Sequence, residues 1–326
     1  MPFKPLNVLT IGSATIDIFA TLGKHEVERL TLHNANSSFL LLEEGRKGDA
    51  DSITDYFGGG AINTAVAASR LGAHVSCMIK VGDDLDADRI TERLSQDNIS
   101  ADCIIRSKEG CTGRAVLVDG YTHNPTIYSA RGANTLLCWD DVDAHWQDKW
   151  NSVHIAPLSG EARNMCNQLV ARAKRDGAFV SINPGIKHIT QAWDKLEEGL
   201  KQVDLLSLNR TEGYAMLEKI QEGITEMRPE ELATELLKTG AKAVALTDGD
   251  KGAYFARAEG VSRASVQKRK VKGTAGAGDS FSITLALALA SDVDIETALS
   301  YALQNAGSVV EHRDTLSGLM FAENFA

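Results

Sequence analysis

The spacing of apolar positions changes near residue 140. Upstream, LNVLTIGSATIDIFA opens as a buried strand ending near Gly12 and runs on as a second extended segment carrying Asp17. Residues 24–57 are mixed and polar, with FLLLEE as one candidate strand. GGGAINTAVAASRLGA reads as a turn feeding a helix of small residues that Gly72 stops. HVSCMIKVG has strand composition, and DADRITERLSQDN places charged and apolar residues at helical spacing. RAVLVDG and PTIYSARG predict two antiparallel strands joined by a polar turn around His123–Asn124.

Downstream, SVHIAP, FVSINP, DLLSLN and AVALTDG alternate with helical segments such as GEARNMCNQLVARAKRDG and PEELATELLKTG. Strand–helix alternation with Val-, Ile- and Leu-rich strands predicts an α/β fold whose parallel sheet is covered on both faces. GAYFARA and RASVQKRKV predict a hairpin, and helices around 278–290 and 294–311 close the chain. No fixed-period repeat, low-complexity tract or Pro-rich linker breaks the pattern. The expectation is one α/β domain over 1–326, with a small β-rich part built from two separated pieces, about 18–57 and 104–132.

Composition narrows the partners. The net charge of −10 argues against a nucleic-acid backbone, which favours a basic face, and leaves room for a small phosphate compound held by local donors. The five cysteines, Cys77, Cys103, Cys111, Cys138 and Cys166, form no CxxC, so they read as reduced thiols, and a structural zinc site is not expected. MPFKPLNVLTIG lacks the pattern of a signal peptide. ITLALALA is far shorter than the roughly 20 residues that span a bilayer. These features predict a soluble cytoplasmic protein without a membrane partner.

The segment VKGTAGAGDSF puts almost no side chain in front of one carboxylate, Asp279, and then enters a helix. Helix N-termini carry unpaired N–H groups and a partial positive charge, and glycines let an anion approach them. A carboxylate beside a bound anion is unfavourable unless it takes a proton, as a base does for an attacking hydroxyl. Phosphoryl transfer needs this pairing of donors and base. The same residues also fit a tightly packed loop with Asp279 as a helix cap. No GxxxxGK[ST] occurs, and no GxGxxG follows the first strand.

With further motifs in order, the chain resembles the ribokinase-like, or pfkB-type, carbohydrate kinases from Gly12 to about Val310. The resemblance implies a three-layer sandwich with a mostly parallel central sheet and a β-sheet lid, and ATP and Mg²⁺ as cofactors. In GSATIDIF, Asp17 is similar to the acid that binds substrate hydroxyls; alone it also fits a strand-end turn. In FGGGAINTAVAASRLGA, Gly58 and Gly59 would bring backbone to a sugar, and Asn63 would offer donor and acceptor. Family ribokinases carry Lys where Gly60 stands. Arg131, before a GAN turn, would reach a substrate carboxylate or the transferring phosphoryl group; an exposed surface Arg is the other reading.

LSLNRTEG resembles the family's NxxE motif, so Asn209 would border the nucleotide and, with Glu212, hold Mg²⁺ through waters, although a helix cap also accounts for the pair. Asn183 in FVSINPG would line the same cleft. In LTDGDKGAYF, Thr247, Gly249 and Gly252 would pack the ribose and phosphates of ATP. Asn305 would border adenine, or else serve as a bonded core Asn. TAGAGD implies Asp279 as catalytic base, with the amides around Gly276, Ala277 and Gly278 as anion hole. Gly273 replaces the family's first Asp of DTxGAGD, and VVEHRDTLSG lacks the usual V-T-R-x-G-A run. Weak or absent K⁺ activation is therefore expected. Family lids often pair between subunits, which makes a homodimer through the lid an implied option. The acceptor stays open among a sugar, a nucleoside such as adenosine and, if Arg131 faces the cleft, a sugar acid. A non-catalytic ligand sensor of the same fold is the alternative from another class.

Overall fold

The computed structural model describes residues 2–23, 25–31, 38–120, 125–147 and 150–325. Its strands in chain order are β1 (Asn7–Ile11), β2 (Thr15–Leu22), β3 (Glu28–Thr31), β4 (Ser38–Leu41), β5 (Ala50–Gly58), β6 (His74–Gly82), β7 (Ile104–Ser107) and β8 (Gly113–Asp119). There follow β9 (Thr126–Ala130), β10 (Ser152–Ile155), β11 (Phe179–Ile182), β12 (Leu205–Asn209), β13 (Ala243–Thr247), β14 (Ala253–Arg257) and β15 (Gly260–Ala264).

Nine strands form the central sheet in the order β15-β14-β13-β12-β11-β10-β1-β6-β7. From β7 to β13 neighbours run parallel, and β14 and β15 add an antiparallel edge. Strands buried on both faces must be apolar throughout, which is why these segments carry runs of Val, Ile and Leu instead of alternating. On one face Val8, Cys77, Ile79, Ala245 and Phe255 pack with the helices Gly60–Arg70, Ala277–Ala290 and Ile295–Val309. On the other, Leu9, Ile11, Val153, Ile182 and Leu206 pack with the helices Cys166–Arg175 and Arg210–Ile220. ITLALALA belongs to the Ala277–Ala290 helix, buried continuously from Ser280 to Ala288, so it is apolar on every side. Among the described residues no helix is long and apolar enough to cross a membrane.

The smaller sheet, the one expected as a lid, has four strands in the order β5-β2-β8-β9. Thr15 pairs with Gly58 on one side and Gly113 on the other, so the lid is rooted where β1 leaves the central sheet. β3 and β4, the latter overlapping only the first three residues of FLLLEE, pair as a separate two-stranded ribbon. Two expectations need correction. Ile104–Ser107 pairs parallel with β6 and belongs to the central sheet, because Ile104 packs on one core layer and Ile105 on the other; the lid's second piece starts at Gly113. The second strand of the late hairpin is Gly260–Ala264, set by a tight turn that pairs Arg257 with Gly260, and SVQKRKV is irregular. β8 and β9 are antiparallel as expected. The turn at His123–Asn124 lies outside the described residues.

Candidate active site

The parallel strands end on one edge of the sheet, and the connections beyond those ends carry the polar groups. This is where open α/β sheets place ligands. The Ala277–Ala290 helix starts there with Gly276 at its N-cap in the left-handed region, φ 76°. A Cβ on Gly276 would lie 2.7 Å from Thr315 Cβ, so both the backbone angle and the space demand glycine. The first firm bond at this end runs from Ser280 N–H to Gly276 C=O at 2.9 Å, and Ala277 N–H has only a 3.4 Å contact with Thr274 C=O. The N–H groups of Gly276, Gly278 and Asp279 have no partner among the described residues. Gly278 is exposed, with nothing within 4 Å of where its Cβ would stand. A helix end of this kind is a prepared anion site.

Asp279 lies in the first turn of that helix. Its Oδ2 accepts a 2.8 Å bond from Asn63 Nδ2, and its Oδ1 stands 3.6 Å from the Cβ position of Gly60. Burial of the carboxyl pushes its pKa up to about 6; the Asn63 bond opposes this and the nearby Glu212 charge adds to it. A carboxyl that changes charge near neutral pH is the result. Asn63 itself is buried, and its Oδ1 accepts a 2.7 Å bond from the Thr315 hydroxyl. Asn63, expected to offer a donor and an acceptor to a sugar, here directs its amide nitrogen to Asp279 and receives the Thr315 hydroxyl at its carbonyl oxygen.

On the lid side, Asp17 is half-buried and accepts a 2.7 Å bond from the Thr15 hydroxyl. Burial pushes its pKa up, while Thr15 and the positive charge of Arg131 pull it down. A Cβ on Gly58 would fall 2.1 Å from Asp17 Oδ2, and one on Gly59, at φ 99°, would fall 2.4 Å from Ser13 C=O. These glycines thus make room for the carboxylate and for the backbone crossing beneath it. Phe19 and Thr21 share the face of β2 that carries Asp17. The exposed Arg131 acts on Asp17, and Arg313 reaches the same face, 6.0 Å over the Phe19 ring and 3.1 Å from Thr21 Oγ1.

Across the edge, Asn209 ends β12 and caps the Arg210–Ile220 helix. Its Oδ1 accepts from Glu212 N–H at 2.9 Å, while Glu212 Oε2 accepts from Asn209 N–H at 3.0 Å. Burial raises the Glu212 pKa, and the bonds from Asn209 oppose it. Asn209, Glu212, Thr247 and Gly249 line one cavity of about 410 Å³. Gly249 is open to it, whereas a Cβ on Gly252, at φ 105°, would strike Ala264 C=O at 2.1 Å. Gly252 therefore closes the turn against β15. Asn183 is half-buried just past the end of β11, its N–H bonded to Ile155 C=O.

Asn305 is corrected: it is fully buried, donating to Thr284 Oγ1 at 2.8 Å and accepting from Met320 N–H at 2.9 Å, so its side chain fastens the core. Among the described residues no group of three or more His, Cys, Asp or Glu could cage a metal. Asn209 and Glu212 beside an open cavity fit an ion that keeps its waters and arrives with phosphates, as Mg²⁺ does. A cavity of about 560 Å³ at the opposite sheet edge, by Asn7, His74 and Trp150, lies away from all these groups, whereas one of about 570 Å³ by Tyr214 and Thr225 adjoins the cleft and shares Arg210, Thr211 and Asp248 with it.

A family model described as pfkB family carbohydrate kinase matches residues 7–320. The chain belongs to that family. It is 28% identical over 297 residues to the bifunctional ribokinase/ribose-5-phosphate isomerase A of Fructilactobacillus sanfranciscensis, covering 91% of this chain and about half, 51%, of that longer protein. It is 27% identical to the ribokinase of Staphylococcus aureus, covering 84% of this chain and 83% of the relative. The solved structure of Arabidopsis thaliana ribokinase complexed with ribose and ATP superposes with a TM-score of 0.79 at 20% identity, covering 99% and 98% of the two chains. At that identity the likeness is one of fold.

In this pfkB kinase, reasoning from the sequence missed Thr315, Thr15 and Arg313. Thr315 and Arg313 sit in VVEHRDTLSG, a segment notable in sequence only for the run it lacks. Gly60 reads in sequence only as a departure, yet a Cβ there would press on Ala156 Cβ at 2.9 Å and Pro157 Cδ at 3.1 Å, so its missing side chain lets the Gly60–Arg70 helix start close to the Ala156–Pro157 backbone. Thr15, two residues before Asp17 on the same strand face, was open to period-two reasoning.

Proposed function

We propose that this kinase transfers the γ-phosphoryl group of ATP to a hydroxyl, a hydroxymethyl group, of a small sugar or nucleoside. The observation that carries the proposal is Asp279 standing in the first turn of a helix whose leading amides are unpaired. The acceptor hydroxyl loses its proton to an Asp279 Oδ as its oxygen bonds to the γ-phosphorus. The bond from that phosphorus to the β–γ bridging oxygen breaks, and ADP leaves. Amides at Gly276, Ala277 and Gly278 donate to the phosphoryl oxygens as charge shifts onto them. Asp17, with Gly58 and Gly59 making space, accepts from other acceptor hydroxyls. Thr247 and Gly249 line the nucleotide cleft. Mg²⁺ would supply charge neutralisation at the β- and γ-oxygens, with Asn209 and Glu212 holding it through water.

The test is ADP release from Mg·ATP across ribose, fructose, ketodeoxygluconate, adenosine, inosine and cytidine. Acceptor-dependent turnover that Asp279→Ala lowers by at least about a hundredfold is expected. Its kcat/KM should fall below about pH 6, where Asp279 takes up its proton. No turnover despite acceptor binding by calorimetry would move the reading to a sensor. Within the kinase class, Arg131 and Arg313 favour an acceptor bearing a carboxylate or phosphate, since neither forms an ion pair among the described residues. Equal kcat/KM for ketodeoxygluconate and an uncharged sugar would remove that reading. A homodimer through the outer lid face, where Ile53, Val116 and Tyr128 are exposed, belongs to the same proposal. A monomer by sedimentation would discard it.

A further inference from the structure

We propose that Thr315 is a positioning residue for Asp279: its hydroxyl holds the Asn63 side-chain amide in the one orientation that donates to the base. The inference rests on the reading of Asp279 as base.

A side-chain amide is nearly symmetric in shape and opposite in polarity at its two ends. Beside a carboxylate only the NH₂ end is favourable; turned over, Asn63 would set its carbonyl oxygen against Asp279 Oδ2, now bonded at 2.8 Å. The far end of the amide selects between the two. Thr315 Oγ1 stands 2.7 Å from Asn63 Oδ1 and 3.2 Å from Phe57 C=O, so its single proton has two acceptors and the closer is Asn63. Asn63 is 4% exposed and Thr315 6% exposed, leaving little room for water to replace the hydroxyl. Polarised by the donor at its oxygen, the amide also donates more strongly to the carboxylate.

Thr315 is itself fixed. Asp314 Oδ1 accepts from Leu316 N–H at 2.9 Å and Ser317 N–H at 2.7 Å, a local turn that sets the backbone around it. Arg70 Nη1 donates to Leu316 C=O at 2.7 Å from the Gly60–Arg70 helix. The methyl group meets the other half of the site: Thr315 Cγ2 lies 2.9 Å from where a Gly276 Cβ would be. One side chain thus touches the residue that opens the anion site and orders the base through Asn63. The groups facing Asp279 are Asn63 from the Gly60–Arg70 helix and Glu212 from the Arg210–Ile220 helix; no cation pairs with it among the described residues.

Thr315→Val keeps the branched shape against Gly276 and removes the hydroxyl; Thr315→Ser keeps the hydroxyl and removes the methyl. Acceptor-dependent ADP release would be measured against pH for both, alone and in an Asn63→Ala background, with Asp279→Ala alongside. Thr315→Val is expected to lower kcat about ten- to a hundredfold and to move the acid limb of kcat/KM to higher pH, with the KM for ATP unchanged. Thr315→Ser is expected to keep the wild-type limb. In Asn63→Ala the Val substitution should add little. Wild-type kcat and limb in Thr315→Val, or its full effect persisting without Asn63, overturns the proposal. If Thr315→Val fails to fold, a shifted limb in Thr315→Ser overturns it. Turnover retained by Asp279→Ala would instead overturn the base reading itself.

Discussion

Replacing Asp279 by Asn should make the protein more stable while ending its turnover. The buried carboxyl has a pKa of about 6 in the fold against an ordinary 3.8. An acid whose folded pKa is raised keeps its proton longer in the folded state than in the unfolded one. Stability is therefore lost as pH rises from about 3.8 to about 6 and stays lost above it. The full gap is worth about 3 kcal/mol at pH 7.5, and partial contact with water at the cleft brings the expected penalty to about 1–3 kcal/mol. The substituted amide would carry no charge and could still accept from Asn63 through its own oxygen. For 326 residues, an unfolding entropy of about 2 cal/mol/K per residue converts this to a rise in Tm of about 2–4 °C. Thermal unfolding of both proteins at pH 7.5 and pH 5.0 is the assay, and about half the gain should remain at the lower pH. An Asn variant no more stable than wild type at pH 7.5, or a gain equal at both pH values, refutes the reasoning.

Other outcomes follow from the same geometry. Gly58→Ala would set a Cβ 2.1 Å from Asp17 Oδ2, so the acceptor KM should rise about tenfold or more with the KM for ATP unchanged; steady-state kinetics in both substrates decide it. Gly276→Ala places a side chain at φ 76° against Thr315, costing about 1–2 kcal/mol in backbone strain and lowering kcat about 10²–10³-fold as the amides shift; chemical denaturation and kcat report the two effects separately. Gly273 has no carboxylate to offer a monovalent ion, and a Cβ there would lie 3.1 Å from His312 C=O. Activity in K⁺ should match that in a bulky organic cation, and a large K⁺-specific gain would contradict this.

Local signals make much of the molecule legible. Continuous Val, Ile and Leu runs mark the parallel strands, and glycines mark the helix starts at Gly60 and Ala277, because each depends on a few neighbouring residues. The late hairpin is misread, since RASVQKRKV shows strand-like alternation while the Arg257–Gly260 turn sets the real register. Ile104–Ser107 reads as part of the lid because a short apolar strand carries no mark of which sheet it will join. Asn305 follows its motif neighbours, and only packing shows that both ends of its amide are used inside the core.

Caps, periodicity and glycine spacing are encoded within a turn or two of chain. For that reason the α/β class, the family and a glycine-rich helix start that carries Asp279 could all be read from residue order alone. Which groups meet is a matter of packing. Asn63 reaches Asp279 across 216 residues of sequence, and Thr315 reaches Asn63 across 252. Strand order and helix packing bring these segments to one sheet edge, and the buried setting they create gives the carboxylate its raised pKa. Burial and long-range hydrogen bonds are properties of the packed chain, and no local pattern carries them.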